Sequence, residues 1–584
     1  MCGIIGYTGD DDAIPYLIDG IKNLEYRGYD SFGCAFELKG AIEVRKDAGK
    51  IEDVLSRYGI SQFSAPKAIF HTRWATHGSV KKENAHPLLD CTGMIAVVHN
   101  GIIENWAELK SSLGSHRFVS DTDTEVLAHM MEDEMRAGNS LSDAVKNVFG
   151  RIKGSSSFLV MNQRTEELVA VKKGSPLVLG LGKHGTFISS DVPSFIAYTN
   201  KVVYLYDGDL VSIWKNKYEI DNLLDKNVTH KVAKVNLTVK DAEKGSHSHF
   251  MIKEIMEQPG LIKKLTAGGF GEVEKAAGLV KNARTTYLVG AGTSFHVARL
   301  GTRILREFGI VSVPIQGQDI TTFGKVIKPD DVFVIISQSG ETADLINALP
   351  MMKNNKKIGI MNSEESTLAK AVDILIPIGA GPEKAVAATK SFTLSSIYMC
   401  LLAAFAAGEK NKALHDLNLL DINLYNQLVP SVYSTIEKAA YRLKRMESVY
   451  FLGRDYDFII ALEAALKLKE ISYIHAEAID AATFKHGPLA LVSDNTYLVA
   501  VVSDKSYDQT IYNLEEIKAR SGKIIGISNR NAKAFDVFIR TQDAGMFSFV
   551  MQTIILQLLA YRISVLRGLD PDRPKNLAKS VTVK

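Results

Sequence analysis

Hydrophobic and polar positions change rhythm along the chain. Over residues 1–240, short runs rich in β-branched and aromatic residues recur: IAVVHNGII at 95–103, FLVM at 158–161, LVAVKKG at 168–174 and VVYLYDGDLVSIW at 202–214. Turn signals such as Asp207-Gly208 separate them, as expected of strands with tight connections. Helical patterns such as DTDTEVLAHMMEDEM lie between the runs. This mixture predicts an α+β domain over 1–240, antiparallel sheets covered by helices.

A polar stretch, VTHKVAKVNLTVKDAEKGSHSHF, and a helical connector, MIKEIMEQPGLIKKL, follow, and 241–270 reads as a linker. From about residue 270 the pattern is strand–loop–helix: TTYLVGAGTS, then DDVFVIISQSGETADLI, then KKIGIMNSEESTLAKAVDILIPI. The last third repeats it, with VYFLGR, TYLVAVVSDKSYDQTI and GKIIGISNRNAKAFDVFI in the same order. Internal repetition of alternating units predicts two copies of one doubly wound α/β domain, over 271–420 and 440–570. A polar, proline-interrupted tail over 571–584 closes the chain; read alone, such a terminus frays.

Composition narrows the class. The 584 residues suggest roughly three or four domains. A net charge of +3, from 69 basic and 66 acidic residues, gives no global case for nucleic acid or an anionic membrane. Cys2, Cys34, Cys91 and Cys400 form no disulfide framework and no CxxC pair, so a reducing cytoplasm is expected and no zinc motif is read. The apolar run Ile397–Ala407 is too short to span a bilayer. Met546–Leu566, interrupted by Gln552, Gln557 and Arg562, predicts a buried amphipathic helix.

Two groups of motifs carry chemistry. Removal of Met1 would leave Cys2 with a free α-amine titrating near pH 8. Nucleophile and general base would then share one residue. HTRWATHG at 71–78 sets Arg73 beside Trp74, HNGIIEN at 99–105 sets Asn100 before the Gly101 amide, and SDTDTE at 120–125 supplies Asp123. A neutral amide donor beside a backbone N–H suits an oxyanion. Read alone, Arg73 and Asp123 are surface charge, and Asn100-Gly101 is a hairpin turn.

In the second group, SQSGET at 337–342 follows a strand and precedes a helix. Small hydroxyls, a glycine and a helix start form an anion site, although the same residues cap helices. The second copy reads SDKSYD at 503–508, where the glycine is lost and Asp504 would repel an anion. Only the first copy is expected to hold phosphate. ALKLKEISYIHAEAIDAATFKHGPLAL at 465–491 concentrates Lys467, Glu470, His475 and His486 in an apolar stretch, which is costly unless they are paired or functional. Lys467 and Glu470 also read as an i, i+3 ion pair, and His475 as a packing or capping residue.

MCGIIGY, LEYRGYDS, HTRWATHG, NAHP, HNGIIEN and SDTDTE, in this order, resemble the class II glutamine amidotransferase domain, an N-terminal nucleophile hydrolase of αββα architecture. GAGTS, SQSGETAD, VAATKSFT, FLGR, ALKLKEISYIHAEA, KHGPLAL and NLAKSVTV make both later copies similar to the sugar isomerase (SIS) domain. End to end, the chain resembles the isomerising glutamine:fructose-6-phosphate aminotransferase family. The resemblance implies that Cys2 attacks the glutamine amide while Asn100 and Gly101 stabilise the oxyanion. Arg73 and Asp123 would bind the glutamine α-carboxylate and α-amine, with Trp74, Thr76 and His77 shaping the pocket and Arg27 near the thiol. Ser337, Gln338, Ser339 and Thr342 would hold the sugar phosphate, with Thr293 and Ser294 nearby, and Val386 and Ala578 would touch the sugar. Lys579 would form a Schiff base, Glu470 move the proton between C1 and C2, His486 of a partner subunit assist ring opening, and Lys467 support that network. The resemblance also implies a homodimer or larger homo-oligomer, an internal ammonia channel, no cofactor and no metal. A phosphosugar-sensing SIS protein, another class II amidotransferase and a sugar-amine deaminase are the rivals. The first would lack Glu470, His486 and Lys579. The second would need a different acceptor domain. The third would leave the Cys2 pocket idle.

Overall fold

The computed structural model describes residues 2–579 except 236, 237 and 239–242. The expected boundary near 240 and tail residues 580–584 lie outside the described residues. The chain divides into two compact units, Met1–Glu243 with Ala578–Lys584, and Lys244–Leu577.

In the first unit the strand Gly3–Gly9 alternates its side chains, as a period of two requires. Ile4 faces one hydrophobic cluster and Ile5 another. Gly3–Gly9 lies near the middle of an eight-stranded sheet, between Gly185–Ser189 and Lys67–Arg73, with antiparallel pairing to both. A six-stranded sheet contains Ser156–Asn162 and Ile95–Gly101 as antiparallel neighbours. Ile4, Ile69 and Ile188 of the larger sheet pack with Val98, Leu159 and Val211 of the smaller as one interior. The sheets approach closely at Gly6, where a Cβ would stand 2.6 Å from Leu159 Cδ2. The helix Ala13–Lys22 covers the outer face of the larger sheet and Glu125–Arg136 that of the smaller. The result is the four-layer αββα arrangement.

The second unit holds two five-stranded, all-parallel sheets. Leu288 and Val334 of the first sheet and Phe451 and Val499 of the second face a shared core, and the opposite faces carry separate clusters. Helices on both faces of each sheet give two doubly wound domains. The stretch read as a linker contributes a 17-residue helix, Phe250–Thr266. Its Met251, Ile255 and Ile262 are fully buried in the shared core. At about 1.5–3 kcal/mol per buried side chain, this helix is a structural part of the unit and not a passive connector. Glu254 Oε1 also accepts the Lys384 and Ala385 N–H groups, at 2.5 and 3.0 Å.

Gly545–Leu566 is the one helix among the described residues long and apolar enough to cross a membrane. The sequence predicts an amphipathic helix here, yet Ser548–Leu566 is buried almost all round, the mark of a core helix. One of its two glutamines, Gln557, is bonded inside the protein. Gln557 accepts from Gln258 at 2.7 Å and donates to the Thr389 carbonyl at 3.2 Å.

Candidate functional site

The pairing of Gly3 with Thr72 sets Cys2 beside Arg73 and Trp74 at one end of the central strands. Cys2 Sγ accepts the Trp74 N–H at 3.3 Å and donates to the Trp74 carbonyl at 3.5 Å. Gly28 permits this, because a Cβ there would lie 2.6 Å from Arg73 C and Trp74 N. Burial pushes the Cys2 thiol up, and the Trp74 N–H and Arg73 pull it partway back. The thiolate therefore needs a base at the site.

Asn100 and Gly101 close the strand Ile95–Gly101, with Gly101 paired to Ser156; they do not form the tight hairpin their flanks permit. Asn100 Nδ2 donates to the Cys2 carbonyl at 2.9 Å and to Ser190 Oγ at 3.0 Å. Gly101 has φ +142°, and a Cβ would stand 2.0 Å from the Ser155 carbonyl. Only glycine fits there. Arg73 is buried, and its guanidinium donates to the carbonyls of His77, Gly78 (3.1 Å) and Ser79 (3.3 Å). Burial lowers its pKa while Cys2, Asp30 and Asp123 raise it. Asp123 is buried and accepts the Ile103 N–H at 2.7 Å. Arg73 is thus a fixed cation and Asp123 a fixed carboxylate around Cys2. The His77 ring meets Trp106 edge-on at 5.0 Å, and Thr76 is exposed. Arg27 is buried and paired with Asp191 at 2.8 Å.

Sequence reasoning missed the layer behind Asn100. His71 Nε2 lies 3.3 Å from Asn100 Oδ1, 3.2 Å from the His99 carbonyl and 3.2 Å from His86 Nδ1. Burial drives the His71 pKa to about 3 and lowers that of His86. A neutral His71 donating from Nε2 fixes the Asn100 carbonyl oxygen and so turns the amide nitrogen toward Cys2. The histidines of HTRW and NAHP were the available signal.

In the second unit Gly290 ends the strand Thr286–Gly290 and Gly292, at φ +53°, leads into the helix Thr293–Glu307. Thr293 Oγ1 donates to Glu463 Oε1 at 3.0 Å and accepts from Lys467 Nζ at 3.3 Å. Lys467 pairs with Glu463 at 3.3 Å and Glu470 at 2.6 Å, and Glu463 with His296 at 2.7 Å. Burial opposes the Lys467 charge, but Glu463 and Glu470 more than offset it and raise its pKa. The Glu470 side chain is 19% exposed against 2–3% for Lys467 and Glu463, so Glu470 is the carboxylate of this trio open to a substrate. Glu463 and His296 escaped the sequence reading, since 167 positions separate them.

Ser337 ends the strand Val332–Ser337, and its Oγ accepts the Gly340 N–H at 3.0 Å and lies 3.3 Å from Thr342 Oγ1. Ser339 Oγ accepts the Glu341 N–H at 3.2 Å, and Gln338 is half-buried. Gly340 has φ +65°, and a Cβ would stand 1.8 Å from Ser366 Oγ. Thr342 precedes the helix Ala343–Ala348. Ser294 lies in the first turn of Thr293–Glu307. The buried Val386 donates its N–H to the Asp572 carbonyl at 3.4 Å. His475 begins the strand His475–Asp480 and lies 3.3 Å from Ser448 Oγ, a surface contact. His486 is exposed on the short helix Phe484–His486. Ala578 and Lys579 belong to the first unit.

The register corrects the loop comparison between the copies. Tyr287 pairs with Phe333 and Tyr450 with Leu498, so Ser337 corresponds to Val502, Gln338 to Ser503, Ser339 to Asp504 and Gly340 to Lys505. The alignment read from SQSGET and SDKSYD slips by one residue.

Fold and site together define a glutaminase-type amidotransferase unit joined in one chain to paired sugar-isomerase domains. The glutamine amidotransferase domain profile matches residues 71–197, and the SIS domain profile matches 279–406 and 442–562. A Thermococcus kodakarensis protein named glutamine--fructose-6-phosphate aminotransferase [isomerizing] is 39% identical over 602 residues, covering 100% of both chains. An Aquifex aeolicus protein of the same name is 37% identical over 596 residues, again covering 100% of both. The C-terminal domain of glucosamine-fructose-6-phosphate aminotransferase from Francisella tularensis superimposes with a TM-score of 0.53 at 31% identity, covering 57% of this chain and 100% of that one. The chain belongs to the isomerizing glutamine--fructose-6-phosphate aminotransferase family.

Proposed function

We propose that the protein converts L-glutamine and D-fructose 6-phosphate to L-glutamate and D-glucosamine 6-phosphate, the entry step of hexosamine synthesis. The carrying observation is one chain holding Cys2 among Asn100, Arg73 and Asp123, and separately Glu470 paired to the buried Lys467 beside Thr293. Removal of Met1 frees the Cys2 α-amine as the base that the buried thiol needs. The thiolate adds to the glutamine amide carbonyl, Asn100 Nδ2 and the Gly101 N–H bind the oxyanion, and ammonia leaves. Water then hydrolyses the thioester to glutamate. Arg73 and Asp123 hold the amino-acid end, within a pocket shaped by Trp74, Thr76 and His77.

At the sugar site Ser337, Gln338, Ser339 and Thr342 bind the phosphate, with Thr293 and Ser294 adjacent. Lys579 forms an imine with C2 of the open-chain ketose, and Val386 and Ala578 contact the sugar. Ammonia, kept from bulk water on its way from Cys2, displaces lysine. The ketose oxygen has left as water on formation of the lysine imine, and Glu470 then carries the proton from C1 to C2 through an enaminol, leaving the C1 aldehyde and the C2 amine. Lys467 fixes the Glu470 carboxylate. The enzyme works in the cytoplasm as a homodimer or larger assembly in which the partner subunit's His486 assists ring opening. Exposure of His486, with Leu491 63% exposed a few residues on, supports that reading.

The test incubates the protein with glutamine and fructose 6-phosphate and follows products by mass spectrometry. Glucosamine 6-phosphate and glutamate in equal amounts are expected, and Cys2→Ala should abolish both while leaving ammonia-dependent synthesis. Glutamate alone would refute the acceptor, and neither product from protein shown to begin at Cys2 would refute the whole reading.

A further inference from the structure

Four side chains outside both sites converge on one point of the first unit. Cys91 lies in the turn after the strand Leu88–Leu89, His116 in the segment before Ser120, and His129 and Glu132 on the helix Glu125–Arg136. One donor atom from each lies within 4.8 Å of all the others. Cys91 Sγ is 3.5 Å from His116 Nδ1 and 3.6 Å from His129 Nδ1. Glu132 Oε2 is 3.1 Å from His116 Nδ1 and 3.4 Å from His129 Nδ1. Zinc bonds of about 2.3 Å to sulfur and 2.0–2.1 Å to nitrogen or oxygen, at tetrahedral angles, give edges of about 3.3–3.6 Å. These four separations lie at or within 0.2 Å of that range.

The outer side of each imidazole points to the same chemistry. His116 Nε2 is 2.9 Å from Asp133 Oδ1. His129 Nε2 is 3.6 Å from Glu125 Oε1 and, although buried, has no direct hydrogen-bond partner. Each ring therefore faces acceptors on both nitrogens, while a neutral imidazole carries a single N–H. A cation between the Nδ1 atoms resolves this count: each ring then points its one N–H at the outer carboxylate. Metal-bound histidines are usually held in this way. Glu132 Oε1 is steadied by Arg136, and Glu132 Oε2 accepts the Cys91 N–H at 3.0 Å. Cys91 Sγ also faces the Arg117 N–H at 3.5 Å. A thiolate and a carboxylate balance a divalent charge, and a set of one sulfur, two imidazoles and one oxygen suits zinc.

We propose that Cys91, His116, His129 and Glu132 bind a structural zinc ion. The site ties the Cys91 turn and the 116–120 segment to the helix that begins two residues after Asp123. It is closed by four protein ligands, which marks a structural site rather than a catalytic one. Its role is to brace the segment leading to Asp123.

The test uses the full-length chain. After saturation with zinc and desalting, mass-spectrometric metal analysis should find one zinc per chain, and the stripped protein should melt at a lower temperature. Cobalt added to the stripped protein should give strong tetrahedral visible bands and a near-ultraviolet thiolate band. Cys91→Ser should lose the thiolate band, Cys2→Ala should keep it, and Asp133→Asn should weaken zinc about ten-fold or more. Because Cys91 is exposed, its substitution is compatible with folding. Substoichiometric zinc at saturation, no thiolate band, or a band that survives Cys91→Ser would overturn the proposal.

Discussion

The two SIS domains share a backbone and divide the chemistry. Gly290 and Gly453 occupy the same position, each so close to the following helix that a Cβ would lie 2.6 and 2.4 Å from backbone of Ser294 and Asp457. Two residues later both chains adopt the same unusual conformation, φ +53° and ψ −126° at Gly292, φ +51° and ψ −117° at Asp455. Ser294 thus corresponds to Asp457, and that exchange decides what the loop holds. Asp457 is buried and accepts the Ser503 N–H at 2.8 Å and the hydroxyls of Ser503 and Ser506 at 2.9 and 2.6 Å. The N–H and hydroxyl of Ser503, which stands at the position of Gln338, are thus already taken by an internal carboxylate. The adjoining cavity, about 370 Å³, is lined by Glu307, Asp416, Asp504 and Asp543 as well as Asp457, against Lys412 and Lys505, so acidic groups outnumber basic ones around it. The second copy has instead placed Glu463, Lys467 and Glu470 on its helix Tyr456–Ser472, where they meet Thr293 and His296 of the first. The second copy thus supplies charged side chains to the first.

Breaking that supply gives the largest effect. Lys467→Met leaves Glu463 with His296 and Thr293 as its remaining partners in the interior, and loss of one partner of a buried pair costs about 3–5 kcal/mol. Denaturant titration should show that loss, along with collapse of sugar-dependent activity while glutaminase activity persists in the folded fraction. A stability equal to that of the native protein would mean that the network does not join the copies.

The second test addresses Asp457. Burial raises its carboxyl from 3.8 to about 6. A folded pKa above the unfolded one gives stability that is complete below about pH 4 and lost as pH rises through about 6. At roughly 1.4 kcal/mol per pH unit, the loss approaches roughly 3 kcal/mol by pH 7. Asp457→Asn removes this slope, so the difference in unfolding midpoint between variant and native protein should move in the variant's favour between about pH 4 and pH 7. Parallel pH profiles would show that burial does not raise the Asp457 carboxyl.

The smallest effect comes from the shared strained position. Space around Gly292 is open, so Gly292→Ala tests backbone conformation alone and should cost about 1 kcal/mol or more. Asp455→Gly should relieve comparable strain in the second copy, less whatever its exposed pair with Arg303 contributes. Thermal melts of both variants check whether the two loops are equivalent.

Much of this was legible in the chain. The β-rich runs at 95–103, 158–161, 168–174 and 202–214 report strands, because side-chain direction follows local geometry. Repeated strand–loop–helix units report doubly wound domains. Periodicity was weaker where burial is complete: Ser548–Leu566 has polar interruptions suggesting a wet face, yet Gln557 is bonded inside the protein. The linker reading of 241–270 failed to foresee a core helix because the surfaces that bury Met251 and Ile255 lie far along the chain.

By itself, then, the sequence determined the classes of element and the short motifs at Cys2 and Ser337, which depend on neighbours a few residues apart, and the duplication, which repeats strand–loop–helix units in the same order. Tertiary structure alone decided the one-residue register between the copies, the neutral His71 behind Asn100, the pairing of His296 with Glu463, and the meeting of Cys91 and His116 with His129. Those arrangements depend on side chains brought together across dozens to hundreds of positions, where spacing carries no signal and only packing and hydrogen-bond satisfaction select the partners.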